Sequence, residues 1–101
     1  MVKKKLEVVI DNAAKRQLQE AYHYIKEDSV KSAEKVRSKI LASIKEPARR
    51  PKHHPADKYR SNRNSAYRAY ELYKYRITYH VSETQVTVIR IRHTRMNPLQ
   101  Y

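Results

Sequence analysis

The chain has 101 residues, enough for one hydrophobic core and little more, and it carries 23 lysines and arginines against 10 acids, a net charge of +13. It contains no cysteine and no glycine. Disulfide frameworks, thiolate metal sites and glycine-rich phosphate loops are therefore excluded.

No apolar run approaches a membrane span. The LEVVI stretch after Lys3, Lys4 and Lys5 is too short for a signal-peptide apolar region. The expectation is one cytoplasmic domain over residues 1–101, with no membrane association. The charge is uneven: residues 1–48 hold 11 basic and 7 acidic side chains, and residues 49–101 hold 12 and 3. A field of that sign attracts polyanions and makes their binding salt-sensitive.

Leu6 to Ile10 is a β-branched run and reads as a first strand. Asp11 or Asn12 offers an N-cap for a helix whose Ala14, Leu18, Ala21, Tyr22 and Ile25 recur at helical spacing. Lys15, Gln19, Glu20 and Lys26 fall on its wet side. This helix should end near Asp28, and Ser29 should cap a second one with a buried stripe of Ala33, Val36, Ile40, Leu41 and Ile44. Pro47 should stop that helix, since proline lacks the N–H. Two helices joined so closely form an antiparallel hairpin that lays both stripes on a sheet.

From Pro47 to about Ser65 the chain has three prolines and no apolar periodicity, so it reads as a long loop. Its Lys52, Lys58, Arg60 and Arg63, with Tyr59 among them, suit contacts to a nucleic-acid backbone, or else keep a solvated loop soluble. His53 and His54 lack a third ligand at metal spacing. Neither a metal nor an organic cofactor is expected. Carboxylate pairs are missing from the basic half, which argues against a two-metal nuclease.

Three strands follow, at about Tyr67–Leu72, Tyr75–Ser82 and Val86–Arg92. Their turns, at Tyr73-Lys74 and about Ser82–Gln85, are short enough to require an antiparallel meander. The fold class is thus α+β: a first strand and a helical hairpin packed on a small antiparallel sheet that ends in this meander.

Strand parity sorts the side chains. Tyr75, Ile77, Tyr79 and Val81 share one face, and Arg76, Thr78 and His80 the other. Placing Tyr79 opposite Ile89 makes the core face apolar and gathers Arg76, His80, Arg90 and Arg92 on the far side. Placing it opposite Val88 in a regular ladder puts Arg90 and Arg92 on the core face, at several kcal/mol each, so the first register is expected. A two-residue turn at Tyr73-Lys74 places Glu71 across from Arg76, where it can pair with it. Arg90 and Arg92 join the candidate nucleic-acid contacts.

His93, Thr94 and Arg95 close the last strand. Cleaving RNA without a metal needs a group to take the 2′-OH proton, a cation for the phosphorane and an acid for the leaving oxygen. His93, Arg76 with Arg92 or Arg95, and Tyr101 are candidates for those roles. His93 as a packed strand-end residue is the structural alternative.

The element order, the Tyr75-Arg76-Ile77-Thr78-Tyr79 strand and the closing His93 to Pro98 segment resemble the RelE/ParE superfamily of bacterial toxin–antitoxin toxins. The resemblance covers nearly the whole chain and implies that fold. It also implies a cognate antitoxin whose disordered segment wraps the toxin in a hetero-oligomer.

RelE-like members are ribosome-dependent mRNA endoribonucleases. By that pattern Arg76 matches the mid-sheet arginine, Arg95 lies near the C-terminal one, and His93 and Tyr101 approximate acid/base positions. ParE-like members poison DNA gyrase by binding. The helical segment resembles the ParE branch more closely, and no lysine pair precedes Arg76. The leading expectation is a gyrase poison; the alternatives are an mRNA endoribonuclease and a basic RNA-binding module without toxicity.

Overall fold

The computed structural model describes residues 6–50 and 66–95. In chain order they form strand β1 (Glu7–Ile10), helices α1 (Asn12–Lys26), α2 (Val30–Ile44) and α3 (Glu46–Arg49), then strands β2 (Tyr67–Leu72), β3 (Tyr75–Val81) and β4 (Gln85–His93). The class is α+β, as the sequence indicates.

Both helix starts follow from local chemistry. Asp11 Oδ1 accepts a 2.7 Å hydrogen bond from the Ala13 N–H, and Ser29 Oγ one of 3.1 Å from the Ser32 N–H. Each occupies a donor that the first helical turn leaves without an intrahelical acceptor. The hairpin is tied on its outer side, where the Arg37 guanidinium lies 4.2 Å from the centre of the Tyr22 ring. Most of the expected stripe is buried, with Ala14, Leu18, Ala21, Ala33, Ile40 and Ile44 in the core; Leu41, by contrast, is exposed.

Pro47 behaves differently from the sequence expectation. The second helix ends before it, at Ile44, and the proline sits in the first turn of α3. There its missing N–H would have had no intrahelical acceptor. Pro47 and Ala48 are buried, and the Ala48 carbonyl accepts from the Leu6 N–H at 3.2 Å, so α3 braces the entry to β1. The long loop read from Pro47 thus begins with helix; residues 51–65 lie outside the described residues.

The sheet order is β1-β4-β3-β2. β2, β3 and β4 form the expected antiparallel meander, and β1 runs parallel to β4 along Gln85–Val88, which makes the sheet mixed. One face packs on the helices: Tyr75, Ile77, Tyr79, Val86, Val88 and Ile91 meet Ala14, Leu18, Ala21, Ile40 and Ile44 in one cluster. Across this core the Ser43 and Tyr70 hydroxyls lie 2.7 Å apart. Burial raises the Tyr70 pKa, and the Ser43 contact offsets part of that rise.

The β2–β3 turn is the two-residue one expected, with φ of 51° at Tyr73 and 66° at Lys74. Positive φ at both positions belongs to the hairpin turn that glycine or asparagine usually supplies. With no glycine in the chain, the turn bears a strain on the order of 1–2 kcal/mol per residue. It is held from the neighbouring strand by a 2.8 Å bond from the Thr94 N–H to the Lys74 carbonyl.

The β3–β4 register corrects the sequence reading. Tyr79 faces Val88, not Ile89. The arginines nevertheless avoid the core, because the register shifts at Thr78/Tyr79: Thr78 faces Arg90, Ile77 faces Ile91 and Arg76 faces Arg92. Ile89 is the extra residue of a β-bulge, and one extra residue restores the face that the pairing alone would have inverted. Its carbonyl accepts a 2.8 Å bond from Arg90 Nη1, so the bulge is tied down by its own neighbour.

Candidate functional site

On the sheet face turned away from the helices, Arg76 and Arg92 stand opposite each other, and Arg90 stands beside Thr78 two pairs along. All three arginines are partly buried, with their Nε atoms out of solvent. Arg76 Nη1 lies 3.7 Å from Glu71 Oε2, the cross-strand pair expected from the turn; its side chain is 17% exposed and that of the glutamate 57%. Carboxylates on this face stand at its margins, Glu71 beside Arg76 and Glu7 across from Gln85.

The centre of the face is shielded from solvent at Thr78. Thr78 is 1% exposed, and its Oγ1, like Arg92 Nε, has no hydrogen-bond partner among the described residues. His80 shares the face and packs against Tyr67, with ring centroids 4.7 Å apart. Guanidinium groups on a partly shielded sheet surface suit an anionic partner, since charge-assisted bonds strengthen as a docking surface excludes water.

The other candidates are placed elsewhere. His93 faces Tyr75 across the strands and so lies on the helix side, its ring 5.1 Å from that of Tyr75 in an edge-to-face contact. Arg76 and His93 therefore project to opposite sides of the sheet. The His93 Nδ1 accepts a 3.0 Å bond from the Arg95 N–H, which puts the proton of the neutral ring on Nε2. Arg95 follows the strand in a turn and is exposed. Thus the structure brings Arg76, Arg90 and Arg92 together, and keeps His93 apart from Arg76. Lys52, Lys58, Arg60, Arg63 and Tyr101 lie outside the described residues.

A second feature escaped the sequence reading. Between α1 and the ends of β3 and β4 opens a cleft of about 420 Å³, lined by Gln17, Glu20, Tyr24, Tyr75, His93 and Arg95 among others. Burial, and then the neighbouring Tyr24, raise the Tyr75 pKa, so its hydroxyl keeps its proton. The available signal was Tyr24 itself, a large aromatic residue on the polar flank of a helix. Among the described residues, no cluster of three His, Cys, Asp or Glu side chains could hold a metal ion.

Comparison with known proteins follows the same lines. The family described as "ParE toxin of type II toxin-antitoxin system, parDE" matches residues 8–98. No curated protein matches. Among solved structures, one described as "Chromosomal ParDE TA system from P. aeruginosa" superposes with a TM-score of 0.71 at 15% identity. That match covers 88% of this chain and 96% of the other, and at such identity the likeness is one of fold.

Proposed function

This chain belongs to the ParE toxins of type II toxin–antitoxin systems, and from that premise we propose that it arrests growth by poisoning DNA gyrase. In this reading it acts in the cytoplasm and is held inactive by a cognate antitoxin that binds it directly. The observation that carries the choice of a binding activity is the separation of Arg76 from His93 by the thickness of the sheet. A ribonuclease drawing on both would need them at one phosphate, within hydrogen-bond reach of neighbouring oxygens. The Arg76, Arg90 and Arg92 face instead supplies cations, which is what docking against an anionic surface requires.

The test is expression from an inducible promoter, scoring viable cells, gyrase–DNA cleavage complexes and mRNA cuts. Cleavage complexes should accumulate while mRNA stays intact, and co-expression of the antitoxin should restore growth. Replacing Arg76, Arg90 and Arg92 together by serine should weaken killing by at least about tenfold, the scale of one lost charge-assisted contact. His93→Ala should leave killing intact. Codon-phased mRNA cuts abolished by His93→Ala would overturn the proposal in favour of a ribonuclease. A chain that never impairs growth would leave only a binding module.

A further inference from the structure

The cleft between α1 and the ends of β3 and β4 is sorted by chemistry. Tyr24, Tyr75 and His93 supply aromatic walls, Gln17 and Glu20 project from α1, and Arg95 stands where β4 ends. Its volume, about 420 Å³, falls in the range of small-molecule sites. Tyr24 is 67% exposed, although nothing about a two-helix hairpin requires an aromatic ring there. The position leaves a π-face open in a cleft that Arg95 also lines.

Each class of ligand can be weighed against that lining. An apolar ligand would leave the Gln17 amide, the Glu20 carboxylate and the Arg95 guanidinium unused. A bare oxyanion would use Arg95 and ignore the three rings. A flat, hydrogen-bonding ring that carries an oxyanion uses all of it.

The hydrogen-bonding groups fit that last class. Gln17 Oε1 is committed to the Ile91 N–H at 2.8 Å, which leaves its amide NH₂ to donate, while the Glu20 carboxylate can only accept. A donor and an acceptor one helical turn apart match the mixed edge of a nucleobase.

We propose that this cleft binds a nucleotide, with the base against Tyr24 and Tyr75, its edge toward Gln17 and Glu20, and the phosphate on Arg95. The same chemistry is offered by a free nucleotide and by one unit of a single strand. The site lies on the helix side of the sheet, opposite Arg76 and Arg90, with Arg92 also among the residues that line it, and binding there does not depend on the cellular target.

The experiment is calorimetric titration of the full chain at fixed salt with adenosine monophosphate, ribose 5-phosphate, inorganic phosphate, a short single-stranded oligonucleotide and its duplex. The nucleotide should bind at least about tenfold more tightly than ribose 5-phosphate, the scale of one base stacked on an aromatic side chain. Tyr24→Ala should erase that difference, Tyr24→Phe should keep it, and Arg95→Ala should weaken both ligands. Because Tyr24 is mostly exposed, its variants should keep the parent melting temperature, so lost binding would not reflect lost fold. A strand that binds more tightly than the mononucleotide identifies the source as nucleic acid, and equal affinity identifies a free nucleotide; both sustain the site. The proposal is overturned if the nucleotide fails to bind, if ribose 5-phosphate matches it, if Tyr24→Ala changes nothing, or if Tyr24→Ala weakens the duplex as much as the single strand.

Discussion

Gln17 illustrates what one side chain does for the sheet. β1 pairs with β4 along Gln85–Val88, and among the described residues no strand lies on that side of the later part of β4. The Ile91 N–H would be left without an acceptor in partly buried surroundings. Gln17 Oε1, reaching from α1, supplies one at 2.8 Å and closes the edge against a further strand. Gln17→Leu should cost about 1–3 kcal/mol, the penalty of a buried donor without a partner, and Gln17→Glu, which keeps an acceptor, should cost less. Urea unfolding of the two variants checks this, and equal midpoints would mean that water serves Ile91 as well. Sequence alone could not reveal this residue, because its role depends on where β1 stops. Asp11 and Ser29 were legible as caps because a cap acts on the next two or three residues.

At the scale of elements, the same contrast separates the two hairpins. The β2–β3 pairing was legible because the two-residue turn at Tyr73-Lys74 fixes the partners on either side of it, Leu72 with Tyr75 and Glu71 with Arg76. The β3–β4 pairing was not, because alternation slips in β4: Val86 and Val88 hold one phase, Ile91 the other, and Ile89 sits at the change. That slip is the trace of an inserted residue, and a rigid two-phase reading must assign it to one register or the other. Removing Ile89 should leave Thr78 facing Arg90 and Ile77 facing Ile91 in a regular ladder. The deletion should therefore fold, losing about 1–2 kcal/mol with the half-buried side chain. Deleting Ile91 instead should place Arg90 opposite Ile77, inside the core, and abolish folding. Far-ultraviolet circular dichroism and thermal melts of both deletions decide the matter. An unfolded Ile89 deletion would show that the bulge itself, and not merely the parity around it, is required.

For the whole molecule the controlling quantity is charge. The architecture was legible from element order, and the cationic surface from composition; the position of His93 relative to Arg76 needed the pairing. With a net charge of +13 and a radius of gyration of 13.8 Å, the folded state holds its like charges close together. At an ionic strength of 0.01 M the screening length is about 30 Å, so charges throughout the fold repel one another; at 0.15 M it is about 8 Å, and only neighbours do. Salt also weakens the attractive pairs, but those seen here are modest. Arg50 and Glu46 lie 3.8 Å apart and largely exposed, Arg76 and Glu71 3.7 Å apart, and such pairs contribute roughly 0–1 kcal/mol each. Repulsion should win, because it sums over many partners while each attraction has one. Raising sodium chloride across that range should therefore stabilise the protein by about 1 kcal/mol, or about 4–8 °C in melting temperature for a chain of this size. A melting temperature that falls as salt rises would mean that the ion pairs outweigh the collective field.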